Sequence, residues 1–260
     1  MGGLGISPSI PRTVLSHLPE RVKPPLRRVR KALRDLPYAG EGRWCPICEG
    51  SSRRFRSTGT PPREEALYIH CGALERHRLV WLYWEKRTDL FDGRAKKVLH
   101  VSPEPCIESR LRRRLVGEYV TADLWNPNAM VRMDITDIPY PDETFDVIYC
   151  SHVLEHVLDD QTAMREFHRV LKKSGWAVLQ VPVTADRTLE DPSVVDSRQR
   201  LRLFGQEDHV RAYGPDFVER LEGAGFKVLV TRVADLFDEH AVLRMGLTPA
   251  AGEVYHCGRG

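Results

Sequence analysis

Apolar and polar positions change rhythm along the chain, and the change marks its organisation. From residue 96 onward, short apolar runs alternate with stretches of helical period. Lys97–Val101 predicts a buried strand, Ile107–Leu115 a helix, Tyr119–Asp123 a second strand and Val131–Asp134 a short third. Phe145–Cys150 is the next strand. Asp159 or Asp160 is then placed to cap a helix whose Ala163, Met164, Phe167, Val170 and Leu171 keep the helical period. Lys172 and Lys173 fall in its expected last turn and Gly175 just beyond it. Trp176–Val183 is almost continuously apolar, the pattern of a strand covered on both faces. A helix over Pro215–Ala224, a strand over Phe226–Val230 and a closing run Glu253–Cys257 complete the series. Such alternation predicts an α/β fold: a doubly wound sheet with its ligand crevice at the carboxyl ends of the strands.

The first third reads differently. Residues 1–42 hold six prolines, too many for one long helix. Within this basic arm, Leu26, Val29 and Leu33 predict a short amphipathic helix that packs on the body or meets an anionic partner. Residues 43–75 form a compact module with few residues able to build an apolar core. A helix follows at about 74–91, with Trp81 and Trp84 thickening the apolar side of Leu74, Leu79, Val80, Leu82, Tyr83 and Leu90. The domains expected are therefore 1–42, 43–75 and 76–260. The 31-residue polar connection 184–214 in the last is far longer than the usual about two to six of an α/β unit, and is expected to act as a substrate lid.

Composition narrows the classes. The chain of 260 residues is 42% apolar and 29% charged, and no apolar run approaches the length of a membrane span. The first 20 residues lack an apolar signal region, so a cytoplasmic protein is expected. The net charge of +3 hides a split: residues 1–114 carry 24 Lys/Arg and 12 Asp/Glu, and residues 115–260 carry 15 and 24. Six cysteines are too few for a disulfide scaffold. Cys106, Cys150 and Cys257 stand alone in apolar contexts expected to bury an inert thiol.

Cys45 and Cys48 form a C-x-x-C, half of a tetrahedral zinc site, and Cys71-Gly72 looks like the end of a second knuckle. A zinc ribbon carries C-x-x-C at both ends, whereas here Tyr68 stands three residues before Cys71. The fourth ligand must come from elsewhere. His77 is preferred, because His70 adjoins Cys71 too closely to chelate with it. A structural zinc is the leading reading, with metal-free reduced thiols or a redox pair as alternatives.

Residues just after strands should carry function. Asp123 ends the second strand and suits the two hydroxyls of a ribose, while Asp134 is placed to accept from an adenine amine with Ile135 covering the base. His152 and His156 follow the fourth strand at i, i+4 spacing. His152 is the better placed for general-base work, for which imidazole is suited, and His156 better fits a supporting hydrogen bond.

Phe145–Asp159, reading FDVIYCSHVLEHVLD, and Leu171–Trp176, reading LKKSGW, together resemble class I S-adenosylmethionine-dependent methyltransferases of the type 11 group. The resemblance covers residues 96–183, and more loosely 96–260. It implies a Rossmann-like sheet ending in an antiparallel hairpin, here 226–233 and 252–258, and S-adenosylmethionine as cofactor. Contacts to that cofactor are implied for His100, Ser102, Glu104, Asp123, Leu124, Asp134, Ile135, Cys150 and Ser151. One departure is large: the family's glycine-rich turn after the first strand is replaced by His100-Val101-Ser102-Pro103-Glu104. Ser102 is small enough for close approach, and Glu104 is placed to accept from the cofactor's ammonium. The segment His209-Val210-Arg211-Ala212-Tyr213 resembles one that lies near the acceptor, which makes His209 a further catalytic candidate and Arg211 and Tyr213 acceptor candidates.

The activity implied is methyl transfer to an O, N or C atom of a small molecule. A first alternative is RNA base methylation, with Arg27, Arg28, Arg30, Arg53, Arg54 and Arg56 on phosphates. A second is a protein that binds the cofactor without transferring methyl, or an interaction module.

Overall fold

The computed structural model describes residues 35–259, so the expected helix around Leu26–Leu33 and Arg27, Arg28 and Arg30 lie outside the described residues. Four short strands open the described part: β1 (Arg43–Cys45), β2 (Gly50–Ser52), β3 (Arg56–Thr58) and β4 (Arg63–Leu67). They pair as two antiparallel hairpins, β1 with β2 and β3 with β4. Helix α1 (Glu75–Arg87) follows and leads into the sheet.

That sheet has seven strands: β5 (Lys96–Val101), β6 (Gly117–Asp123), β7 (Val131–Arg132), β8 (Phe145–Ser151), β9 (Leu171–Gln180), β12 (Phe226–Thr231) and β13 (Val254–Arg259). Their order is β12-β13-β9-β8-β5-β6-β7. Strands β7, β6, β5, β8 and β9 run parallel, and β13 lies antiparallel to both of its neighbours. This is the expected doubly wound α/β sheet with its closing hairpin. The chain leaves β5 in one direction to β6 and β7 and returns on the other side to β8, so the switch point falls between β5 and β8. A crevice opens there by geometry.

The apolar strands are continuous because both faces are covered. Side chains alternate across a strand, so Leu99, Ile148, Cys150, Ala177 and Leu179 enter one core while Val98, Val147, Tyr149, Trp176 and Val178 enter the other. The first core holds α3 (Asp160–Val170) and α5 (Phe217–Gly223) through Met164, Phe167, Phe217 and Leu221. The second holds α1, α2 (Pro105–Arg114) and the hairpin module through Leu79, Trp81, Trp84, Ile107, Cys45, Phe55 and Tyr68. Trp81 and Trp84 are core residues, as expected, and Cys106, Cys150 and Cys257 are buried thiols.

Several local expectations change. Asp159, not Asp160, caps α3, accepting from the Thr162 N–H at 2.9 Å. The helix ends at Val170, so its last turn carries His168 and Arg169 rather than the two lysines, and the chain passes straight into β9. The lysines and Gly175 therefore lie in the first part of β9. Connection 184–214 is partly ordered as β10 (Leu189–Glu190), α4 (Ser197–Phe204) and β11 (Arg211–Ala212), gathered on Val194, Phe204 and Ala212. Helix α6 (Glu239–Met245) has too short an apolar stripe to have been predicted.

Arg78 joins these parts. Its guanidinium is fully buried and donates to five carbonyls: Met245 at 2.7 Å, Gly246 at 2.8 Å, Ala73 at 2.8 Å, Ala66 at 3.0 Å and Glu65 at 3.3 Å. The Phe55 ring lies 4.3 Å below it. Gly246 has φ of +57°, and a Cβ there would stand 2.6 Å from the Phe55 ring, so only glycine lets the two segments meet. Replacing Arg78 with Met keeps the bulk but strands those carbonyls. We expect a loss of about 3–5 kcal/mol in denaturant unfolding of the full chain, the scale found when one side of a buried polar arrangement is removed.

Candidate functional site

The site forms where β5, β6 and β8 end. Ser102, directly after β5, has φ of 50°, and His152, directly after β8, has φ of 56°. Both are left-handed conformations that disfavour side chains, and both persist because the backbone is held: the Ser102 N–H donates to Ala122 O and the His152 N–H to Gln180 O, each at 2.8 Å. Ser102 thus makes with a serine the turn for which the family pattern uses glycine.

A cavity of about 430 Å³ lies over these ends, lined among others by Ser102, Asp123, Leu124, Trp125, Asp134, Ile135, His152 and His156. Asp123 Oδ1 accepts the N–H groups of Trp125 and Asn126, each at 2.7 Å. Asp134 Oδ1 accepts the Thr136 N–H at 2.9 Å and its hydroxyl at 2.8 Å. Each carboxylate is therefore oriented by its own turn through one oxygen, which leaves the other for a ligand. Ile135 is buried in the wall, and Trp125 stands 81% exposed at the rim.

Not every expected cofactor residue lines this cavity. His100, Glu104, Cys150 and Ser151 do not. His100 is fully buried, with Nδ1 2.7 Å from the Tyr119 hydroxyl and Nε2 2.8 Å from Glu104 Oε2. The Tyr149 hydroxyl donates to Glu104 Oε1 at 3.3 Å, and His77 Nε2 lies 3.5 Å from the same oxygen. Both carboxylate oxygens of Glu104 are thus engaged within the protein, and neither lines the first cavity. His100 and Glu104 lock the turn from behind. Burial alone would raise the Glu104 pKa, but the hydrogen bond and charge of His100, with His77 and Arg76, outweigh it and hold the carboxyl below its ordinary value.

A second cavity, of about 630 Å³, shares His152 and His156 with the first and is lined also by Arg76, Glu155, Gln180, Gln206 and His209. Connection 184–214 supplies Thr184, Gln206 and His209 to its wall. Arg76 Nε, Glu155 Oε2 and Gln180 Oε1 are buried there without hydrogen-bond partners. Side chains on a cavity wall whose buried polar atoms lack a partner are candidates to meet a polar ligand. Burial first, then the charges of Arg76 and His77, holds the His152 imidazole well below its ordinary pKa, so it is neutral. Burial pushes the Glu155 carboxyl up to about 8.

Arg211 and Tyr213 are held inside the protein. Neither lines either cavity. Arg211 is 3% exposed and donates to the carbonyls of Leu154, Val157 and Leu158 and to Glu190. The Tyr213 hydroxyl donates to Asp160 at 2.6 Å. Arg211 holds the turn that carries Glu155 and His156, and Tyr213 holds the start of α3. Sequence reasoning missed Trp125, Arg76, Glu155 and Gln180 as wall residues. Glu155 lay inside the quoted VLEH motif, whereas Arg76 and Gln180 sit in ordinary element patterns that give no functional signal.

In the module, the thiols of Cys45, Cys48 and Cys71 lie within 4.8 Å of one another. The hydrogen bonds of Cys45 and Cys71 hold the Cys48 thiol well below the usual thiol range. His77 does not join them: its Nδ1 accepts the Leu74 N–H at 3.2 Å, closing the first turn of α1, and its Nε2 faces Glu104. Tyr68 instead brings its hydroxyl toward Cys48. A Cβ at Gly50 would stand 2.3 Å from that hydroxyl and 3.4 Å from Cys48 Sγ.

Residues 88–179 match the family model described as a methyltransferase domain, about a third of the chain, which takes in the walls formed by β5, β6 and β8. An uncharacterised methyltransferase of Bacillus subtilis (strain 168), YcgJ, is 34% identical over 74 residues, a match spanning 28% of this chain and 28% of that protein. The crystal structure of YcgJ covers 64% of this chain and 93% of its own at 17% identity and a TM-score of 0.41. That of an S-adenosylmethionine-dependent methyltransferase from Mesorhizobium loti covers 68% and 98% at 16% identity and a TM-score of 0.48.

Two outcomes follow from the turn. Ser102→Gly removes the left-handed penalty and is expected to stabilise the protein by about 1 kcal/mol in thermal or denaturant unfolding. Glu104→Gln is expected to cost on the order of 1–2 kcal/mol at pH 7, the worth of a charge-assisted hydrogen bond. Because the folded carboxyl titrates below its unfolded value near 4.5, that contribution is complete above this pH and is lost on acidification. Unfolding curves of wild type and variant should therefore converge as the pH falls below about 4.5.

Proposed function

We propose that the protein transfers a methyl group from S-adenosylmethionine to a small-molecule acceptor. The observation that carries this is the meeting of two cavities at His152 and His156: one bears the paired carboxylates of a nucleoside pocket, the other the unpartnered polar atoms of a second ligand site. The cofactor supplies an electrophilic methyl on a sulfonium. Asp123 accepts from the ribose hydroxyls, Asp134 accepts from the adenine amine, and Ile135 covers the base, with Ser102 allowing backbone approach. His152 stands between the cavities as a neutral imidazole. Its Nδ1 lies 3.5 Å from Glu155 Oε1, and the imidazole is the group placed to take a proton from an acceptor that arrives protonated. Positioning supplies most of the remaining rate.

A second cavity of about 630 Å³ matches the size of small-molecule pockets, and Arg76 on its wall favours an acceptor with an anionic or carbonyl group. The RNA alternative has less support, because Phe55 and Tyr68 of the arginine-bearing module are buried and only Trp44 among its aromatic rings is partly open for stacking bases. We further propose a structural zinc held by Cys45, Cys48 and Cys71, whose three converging soft donors suit that ion, with Tyr68 beside the fourth position.

Calorimetric titration with S-adenosylhomocysteine tests the first step. Wild type is expected to bind, Asp123→Ala to lose at least about tenfold in affinity, and His152→Gln to keep the affinity while losing turnover on acceptor pools. No binding of S-adenosylhomocysteine or S-adenosylmethionine by the wild-type chain would overturn the reading.

A further inference from the structure

Glu155, His156 and His209 converge on the second cavity from two separate segments. One nitrogen of each imidazole and a carboxylate oxygen of Glu155 lie within 4.8 Å of one another. The two rings stand nearly perpendicular, at 82° with centroids 4.8 Å apart. His209 Nδ1 lies 3.0 Å from the Phe204 carbonyl, an acceptor only, so Nδ1 carries the proton and Nε2 the lone pair. His156 Nδ1 lies 3.3 Å from Asp208 Oδ2, which favours the same tautomer. Histidines that bind metals are ordinarily held this way, by a carboxylate or a carbonyl on the other nitrogen.

Glu155 supplies an independent observation. It is 1% exposed, and its Oε2 is buried without a hydrogen-bond partner. A buried carboxyl oxygen with no protein partner, on a side chain that converges with two imidazoles, is a group that a cation would satisfy. The surroundings also fix the trio. Arg211 holds the carbonyls of Leu154 and Val157 on either side of Glu155 and His156, and the Val210 N–H donates to Glu155 O at 2.9 Å, locking His209 in register.

We propose that Glu155, His156 and His209 bind a divalent first-row transition metal. Two imidazoles and one carboxylate leave coordination positions open toward the second cavity, the donor set of a site that admits an outside ligand. An oxygen of the acceptor takes one of those positions. That last role rests on the methyl-transfer reading, whereas the metal site does not.

Mn2+ is the probe, because imidazole and carboxylate accept it while the thiolates of Cys45, Cys48 and Cys71 favour softer ions. The full-length chain, dialysed against a chelator, is titrated with Mn2+ and the free ion is read by electron paramagnetic resonance. Wild type is expected to bind one Mn2+, Glu155→Gln and His209→Asn to bind at least about tenfold more weakly, and Asp208→Asn to lose roughly tenfold through its hold on His156. Cys45→Ser is expected to leave Mn2+ binding unchanged. Parallel titration of the same samples with S-adenosylhomocysteine reports folding and separates the two readings. Glu155-dependent Mn2+ binding without cofactor binding would keep the metal site and sink the methyltransferase. Absence of Mn2+ binding by wild type, or binding retained by Glu155→Gln and His209→Asn alike, would overturn the metal site.

Discussion

A single guanidinium decides how the two halves of this protein sit together. Arg78 is enclosed without a carboxylate partner, and its charge is balanced by the dipoles of five carbonyls drawn from β4, the loop before α1 and the end of α6. Arginine alone has enough fixed donors for this task, and its five bonds tie three segments together. The consequences reach the site. Once Arg78 is fixed, its neighbours on α1 are fixed too: Glu75 meets Arg63, Arg76 reaches the second cavity, and His77 turns toward Glu104.

The crevice itself shows two ways of holding a strained backbone. After β5, a buried chain of Tyr119, His100 and Glu104 braces the turn from below. After β8, Arg211 gathers the carbonyls of a turn that would otherwise leave them unpaired. In both places a polar network replaces the conformational freedom of glycine. The arrangement is less tolerant of substitution, because removing one member leaves several buried groups unsatisfied.

Much of the fold was legible because the strands of a doubly wound sheet are apolar on both faces and the intervening helices keep their period. Asp123, Asp134 and Ile135 were legible as pocket residues for a related reason: strand ends are where such a sheet places ligands. Other roles could not be read. Arg211 and Tyr213 sit in a motif that suggested contact with an acceptor, yet the same residue types serve equally as buried donors, and only burial separates the two. His77 follows Cys71 at a plausible ligand spacing, but capping the first turn of α1 claims its Nδ1. The Glu155, His156 and His209 cluster depends on contact across more than fifty residues, which no local pattern encodes.

The Arg78 clamp also bears on how the chain is made. Met245, whose carbonyl it binds, lies 167 residues further along, and β13, although it follows β12 in sequence, sits between β9 and β12 in the sheet. The hairpin module and the apolar side of α1 leave the ribosome long before the segment that covers them. They must wait, with Phe55 and Tyr83 lacking their covers at Gly246 and His256, until the distant partner is synthesised. A nascent chain of this design carries its greatest exposure of apolar surface in mid-translation, and depends for that interval on whatever shields emerging polypeptides.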